Sequence, residues 1–333
     1  MNQYFTEIEI DKYSWRIGYS DKVLFMGSCF TENIGEKMDE LKFQTCVNPF
    51  GIIYNPMSVA SGLRKLIERK RYTKADLFEQ SGSWGSYDFH SRHSGNSAEE
   101  TLAKMNEQVE TGHSFLKQAD YLIITFGTAW VFDLKSNGGL VANCHKFPAS
   151  DFRRYRLSQE QIVGEFRDLL TGLWKFNPNL KLLFTVSPIR HLKDGAHGNQ
   201  LSKSTLILAV DRLVNDFGKQ RCDYFPSYEI VMDELRDYRF YAADLVHLTP
   251  VAIDHIWSKF KENLVDEKAG QLMNRILKLR KAIQHRPFRR NRSEYEDFLT
   301  KNISQIEELT INFPYLNLEK EKQYFQKELN GCK

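Results

Sequence analysis

Short apolar runs bounded by turn residues alternate with helix-period stretches as far as residue 260. The runs at 23–26, 44–47, 121–126 and 182–186, and one inside 224–232, have the length and flanks of buried strands. Helical patterns cover 29–41, 56–69, 98–117, 158–175, 199–218 and the stretch after Thr249-Pro250. Start signals agree: Pro56 suits a first turn, Ser158-x-x-Gln161 is a capping box, and Thr249-Pro250 supplies an N-cap followed by proline at N1. Asn137-Gly138-Gly139 marks the turn of a hairpin over 130–144. Strands alternating with helices predict a parallel sheet covered on both faces, with ligands bound beyond the carboxyl ends of its strands. Ser28, Gly51, Gly127 and Pro188 each follow a strand end and should line one rim. The stretch 72–98 has no period and reads as a long loop or lid. Beyond about 260 only helices are predicted, so the chain divides into 1–262 and a helical C-terminal extension, 263–333.

The chemistry concentrates at Gly27-Ser28. A buried strand that stops there and turns into a helix lifts a hydroxyl out of the core and aims the helix's unpaired N–H groups at whatever the hydroxyl attacks. Serine in that place is equally an ordinary N-cap. Downstream, Asp244 and His247 stand just before the last helix of the strand-bearing region. They read either as a surface acid and imidazole or as the acid and base that a serine nucleophile requires. Their placement at opposite ends of one layer favours the second. Cys29 should face the packing side of the helix. Asp88, His90 and His93 have the residue types of a metal site, but an irregular loop with no third ligand set fits a polar lid better. Trp84, Tyr87 and Phe89 in that loop suit stacking on a sugar.

Composition narrows the class. Hydrophobic residues make up 41% and aromatics 13%, enough for a sizeable core, and the net charge of +3 is too small to imply nucleic acid. The five cysteines lack metal or disulfide spacing and read as reduced thiols. Met1 to Asp11 has no apolar segment of a secretory signal, and no run reaches the roughly 18 apolar residues that span a bilayer, so a cytoplasmic protein is expected. Between Arg275 and Arg292 there are eight Lys or Arg and no acid. That segment is a solvated face or a contact for an acidic partner or anionic substrate. An apolar stripe, Phe298, Leu299, Ile303, Ile306 and Leu309, should pack on the main domain or on another copy, making a homo-oligomer through the C-terminal helices.

The block Met26-Gly27-Ser28-Cys29-Phe30-Thr31-Glu32-Asn33-Ile34 resembles the signature of the GSCFA family, a bacterial branch of the SGNH/GDSL hydrolase superfamily. Later blocks agree in order: 48–56, Phe126-Gly127-Thr128-Ala129-Trp130, Asn143-Cys144-His145-Lys146, Ser187-Pro188-Ile189-Arg190-His191 and Asp244-Leu245-Val246-His247. The resemblance covers roughly 20–260. It implies a flavodoxin-like three-layer α/β/α sandwich with a mainly parallel sheet, Ser28 as nucleophile, His247 as base and Asp244 as its orienting acid. It also implies an oxyanion hole from the backbone N–H groups of Ser28 and Gly51. The superfamily's third donor, an asparagine in Gly-x-Asn, is replaced here by Ala129. The Thr128 hydroxyl, Asn48 and Asn143 are candidate substitutes; each has a plainer role as a strand-end cap, a pre-proline turn or a hairpin residue. His90, His145 and His191, with Asn48 and Asn143, are candidates for substrate contacts.

The function expected is a serine esterase cleaving O-acyl esters, acetyl groups on carbohydrate among them, through an acyl-enzyme and with no metal or organic cofactor. Its partner is then a small-molecule or carbohydrate ester, with no nucleic acid and no membrane. Acyl transfer to an alcohol by the same triad is one alternative, favoured if 72–98 excludes solvent. A non-catalytic binding protein on a hydrolase scaffold is another, motivated by Ala129 and the basic segment.

Overall fold

The apolar run before Gly27 forms β1 (Lys22–Gly27), five of whose six residues are buried, and the chain turns straight into α1 (Cys29–Glu40). A computed structural model describes residues 6–284 and 292–332. It continues through β2 (Gln44–Val47), α2 (Pro56–Ile67), β3 (Phe78–Gln80), β4 (Ser83–Gly85), α3 (Ala98–Gln118) and β5 (Tyr121–Phe126). Next come β6 (Trp130–Leu134), β7 (Leu140–Val141), β8 (Phe152–Arg156), α4 (Gln159–Phe176), β9 (Lys181–Val186), α5 (Gly195–Phe217) and β10 (Cys222–Tyr224). The remainder is helical: α6 (Ser227–Glu229), α7 (Pro250–Leu264), α8 (Glu267–Gln284), α9 (Arg292–Asn312) and α10 (Glu319–Cys332).

The central sheet runs β10-β9-β5-β1-β2, with β1, β5, β9 and β10 parallel. This is the flavodoxin-like order, and its direction reverses between β1 and β5. Every residue of β5 is buried, a continuous apolar run rather than an alternating one, because helices cover both faces. Leu24 and Met26 join the core made with α2, α3, α4 and α5. Phe25 points the other way, toward Gly35 of α1. On α7, Ile256 and Phe260 are buried, and Phe260 meets the ring of Phe225. The architecture is a three-layer α/β/α sandwich.

Three segments depart from the pattern read along the chain. The strand expected inside 224–232 ends at Tyr224; Ser227–Glu229 is helical and Ile230–Glu234 forms a π-turn. Pro226 offers no N–H to a ladder, and the Ser227 hydroxyl donates to Val186 O at 2.9 Å instead. Residues 152–156, unassigned in the sequence, form β8 and extend the hairpin into a second sheet, β7-β6-β8. The stretch 72–98 contains the β3–β4 hairpin, and its Phe89 is fully buried against Phe50 and Tyr72.

The described residues fall into two compact units: one comprises 6–15, Lys22–Glu36 and Thr45–Leu264, and the other Arg16–Asp21, Lys37–Gln44 and the described residues from Val265 onward. In the second unit α9 packs on α10, and Leu299, Ile306, Leu309 and Phe325 are buried. Leu299, Ile306 and Leu309 of the apolar stripe on α9 are thus buried within their own unit. Of the basic segment, 285–291 lie outside the described residues, while Arg275 pairs with Glu308 and Arg280 with Glu40. Among the described residues no helix is long and apolar enough to cross a membrane.

Candidate active site

Gly27 makes the turn from β1 into α1, and nothing larger fits there. Its φ is +144°, and a Cβ would lie 2.2 Å from Thr125 O. The two backbones thus meet where the strand order reverses, the place at which open parallel sheets bind ligands. Ser28 follows, its N–H donated to Thr125 O at 3.2 Å and its carbonyl accepting from Thr31 N at 2.9 Å. It holds the N-cap position of α1, yet its hydroxyl caps nothing. Ser28 Oγ is buried with no hydrogen-bond partner among the described residues. An unsatisfied buried hydroxyl costs about 1–3 kcal/mol, which an arriving ligand or water can offset.

Ser28 lines a cavity of about 380 Å³ shared with Tyr54, Thr128, Trp130, Arg190, His191 and His247. His247 reaches it from a tight turn in which Leu245 takes φ +58°. Asp244 Oδ1 accepts the N–H groups of Val246 and His247 at 3.0 and 2.9 Å, and Oδ2 meets His247 Nδ1 at 2.5 Å. The bond to His247 and those two amides hold the Asp244 carboxyl down at about 2. A carboxylate only accepts, so Nδ1 carries the ring proton and Nε2 is the basic nitrogen. The turn is anchored by Ala242 N donating to His247 O at 2.7 Å and Thr249 N to Phe240 O at 2.9 Å. The side chain of His247 is 61% exposed and Ser28 only 1%. They share a cavity, but no hydrogen bond joins them.

The expected oxyanion donors are otherwise engaged. The Ser28 N–H is held by Thr125 O, and the Gly51 N–H closes its own turn onto Asn48 O at 2.7 Å. Gly51, at φ +77°, is the place where His90 packs, for a Cβ there would lie 2.3 Å from the His90 Cβ. The Thr128 N–H donates to Tyr54 O, and its hydroxyl pairs with Ser202 Oγ at 3.1 Å. Ser202 Oγ also takes the Ala129 N–H at 2.8 Å, so the serine on α5 organises the block where asparagine was expected. Asn48 differs. Its Oδ1 accepts the Gly27 N–H at 2.8 Å, while its buried Nδ2 has no partner among the described residues.

Of the residues expected to contact substrate, only His191 lines the cavity, edge-on to Tyr54. Burial, with Lys203 nearby, pushes its imidazole down to about 4. His90, His145 and Asn143 lie outside the cavity lining and make hydrogen bonds elsewhere. His90 Nδ1 accepts from Arg92 N, His145 Nε2 bonds Ser86 O at 2.9 Å, and Asn143 Oδ1 caps His145 N at 2.9 Å. Asp88 binds Lys65 and Tyr72, away from the two histidines of its loop. No residue of 72–98 lines the cavity. Cys29, expected on the packing side, does line it; burial raises its thiol pKa, against the activation that a thiolate nucleophile needs.

Sequence reasoning missed Lys203. It is fully buried, and its Nζ donates to Gly127 O and Ser187 O, both at 2.6 Å, tying the chain ends beyond β5 and β9. Burial pushes it down to about 7. The signal was a lysine on the apolar face of a helix, in line with Leu206, Val210 and Leu213. Also missed was the wall where Arg154 pairs with Asp194 and stacks 4.1 Å above the Trp130 ring.

The fold is thus a parallel α/β/α sandwich with a serine at its topological switch point and, on the same cavity, a histidine whose Nδ1 is held by Asp244. The chain belongs to the GSCFA family, which matches residues 22–260, and the GSCFA domain protein C-terminal domain matches 276–331. No curated protein matches it. Among solved structures, it is similar to an acetyl xylan esterase from the rumen bacterium Butyrivibrio proteoclasticus, with 15% identity and a TM-score of 0.37. That match covers 73% of this chain and spans 64% of the esterase chain.

Proposed function

We propose that the protein is a serine esterase of the SGNH type acting on O-acyl esters, acetylated carbohydrate included. Ser28 Oγ attacks the ester carbonyl while His247 Nε2 takes its proton; the proton then passes to the departing alcohol. Water, deprotonated by the same nitrogen, resolves the acyl-enzyme and releases the acid. Asp244 holds the ring tautomer and steadies its positive charge. The oxyanion is met by the Cys29 N–H, a first-turn group of α1 on the cavity lining, and by Asn48 Nδ2, which is buried outside that lining with its Oδ1 on the Gly27 N–H and must turn toward Ser28 when substrate binds. Before the proton moves, the exposed His247 must close on the buried serine; catalytic hydrogen bonds often tighten only in the substrate complex.

The observation that carries this reading is the Ser28 hydroxyl. It is placed as an N-cap, makes no cap bond, and belongs to a residue lining the cavity where His247 stands with Nδ1 secured. The engaged N–H groups of Ser28, Gly51 and Thr128 favour the rival, a non-catalytic binding protein. Hydrolysis of 4-nitrophenyl acetate separates the two. The wild type should turn it over, with Ser28→Ala inactive and Asp244→Asn slower by roughly 10²- to 10⁴-fold in kcat. Equal background rates from wild type and Ser28→Ala favour the binding protein. Adding an alcohol then divides hydrolysis from acyl transfer by its products.

A further inference from the structure

Three cationic side chains line the Ser28 cavity, and only one is neutralised. Arg154 is paired with Asp194. Arg190, half-buried just beyond β9, makes its one polar contact among the described residues with the Met232 sulfur at 3.3 Å. Lys193, exposed at the cavity mouth, has no carboxylate within salt-bridge distance among the described residues. A thioether is a weak acceptor, and a half-desolvated guanidinium normally takes carboxylate or phosphate oxygens through its planar fork. On the same wall the buried Trp130 Nε1 is a second donor without a partner among the described residues. The cavity therefore offers unfilled donors near the nucleophile, and the one acid in its described lining, Asp194, is already paired with Arg154 through Oδ1, its Oδ2 being buried without a partner among the described residues.

We propose that the substrate carries an anionic group, a carboxylate or a phosphate, beside its acyl ester, and that Arg190 binds that group with Lys193 adding attraction at the cavity mouth. This rests on reading the cavity as the substrate site of a Ser28 esterase. An anion at Arg190 leaves Ser28 and His247 free to act on an ester elsewhere on the same molecule. Apolar surface from Phe132, Ile189 and Ala142 completes the lining and suits the body of a sugar or a short acyl chain.

The test has a binding arm and a kinetic arm. Calorimetry on wild type and Ser28→Ala compares glucuronate, glucose 6-phosphate and glucose, and needs no turnover. One anion should bind at least about tenfold more tightly than glucose, as a charge-assisted contact implies, and the tighter one identifies carboxylate or phosphate. Arg190→Gln should erase that difference, and Lys193→Gln should reduce it. In the kinetic arm, kcat/KM for the O-acetylated forms of the same three compounds should show the same order, its ratio falling toward one in Arg190→Gln. Equal binding of all three compounds, or an anion preference that survives Arg190→Gln, overturns the proposal. Absence of hydrolysis with intact anion binding overturns the esterase reading alone.

Discussion

At the scale of single residues, Asn48 has two duties on one amide. Its Oδ1 holds the Gly27 N–H, which positions the turn, and its buried Nδ2 has no partner among the described residues. The residue tolerates its φ of +47° because asparagine and aspartate visit the left-handed region more readily than other side chains. Asn48→Asp separates the duties, keeping the acceptor and removing the donor. If Nδ2 meets the oxyanion, this variant loses about 100- to 1000-fold in kcat, the usual effect of removing one such donor, with KM little changed. A melting curve alongside separates this from unfolding, and unchanged kcat in a folded variant removes Asn48 from the mechanism.

At the scale of elements, Lys203 fastens α5 to the chain ends that follow β5 and β9. The folded protein lowers its pKa from 10.5 to about 7, so between those values the unfolded chain binds the extra proton. Stability from this group is complete above the unfolded value and lost as pH falls through the folded one. Thiols such as the half-buried Cys46 and the buried Cys222, whose pKa values are raised, act with the opposite sign once unfolded cysteine ionises. The clean measurement is therefore a difference. Between pH 7 and 8.5, urea midpoints should rise more steeply for wild type than for Lys203→Met. Parallel curves would mean the lysine is not desolvated as described. The strands of this layer were legible because turn residues bound their apolar runs, and Ser158 and Gln161 do form the capping box read from spacing. Tyr224–Met232 misled because Ile230 and Val231 are β-branched, whereas Pro226 and the Ser227 hydroxyl end the ladder first.

At the scale of the whole molecule, the parallel sheet was legible in the sequence, and so was the pairing of Asp244 with His247 on the cavity that Ser28 lines. Alternating periods gave the layers, and Ser28, Asp244 and His247 stood at opposite ends of one of them. The hole around the serine was not legible. Whether Gly51 or Thr128 can donate depends on how each loop satisfies its own backbone, and no spacing reveals a turn closing on Asn48 O or a hydroxyl answered by Ser202. The unneutralised charge at Arg190 was hidden in the same way, since its neighbours come from distant parts of the chain. The fold thus brings Ser28 and His247 to one cavity without joining them, and the central claim is that they act together. Labelling with a fluorophosphonate, followed by peptide mapping, tests it most directly. The account predicts covalent modification at Ser28 in wild type, none in Ser28→Ala, and strongly slowed labelling in His247→Ala. An unlabelled wild type, or labelling at equal rates in all three proteins, would contradict it.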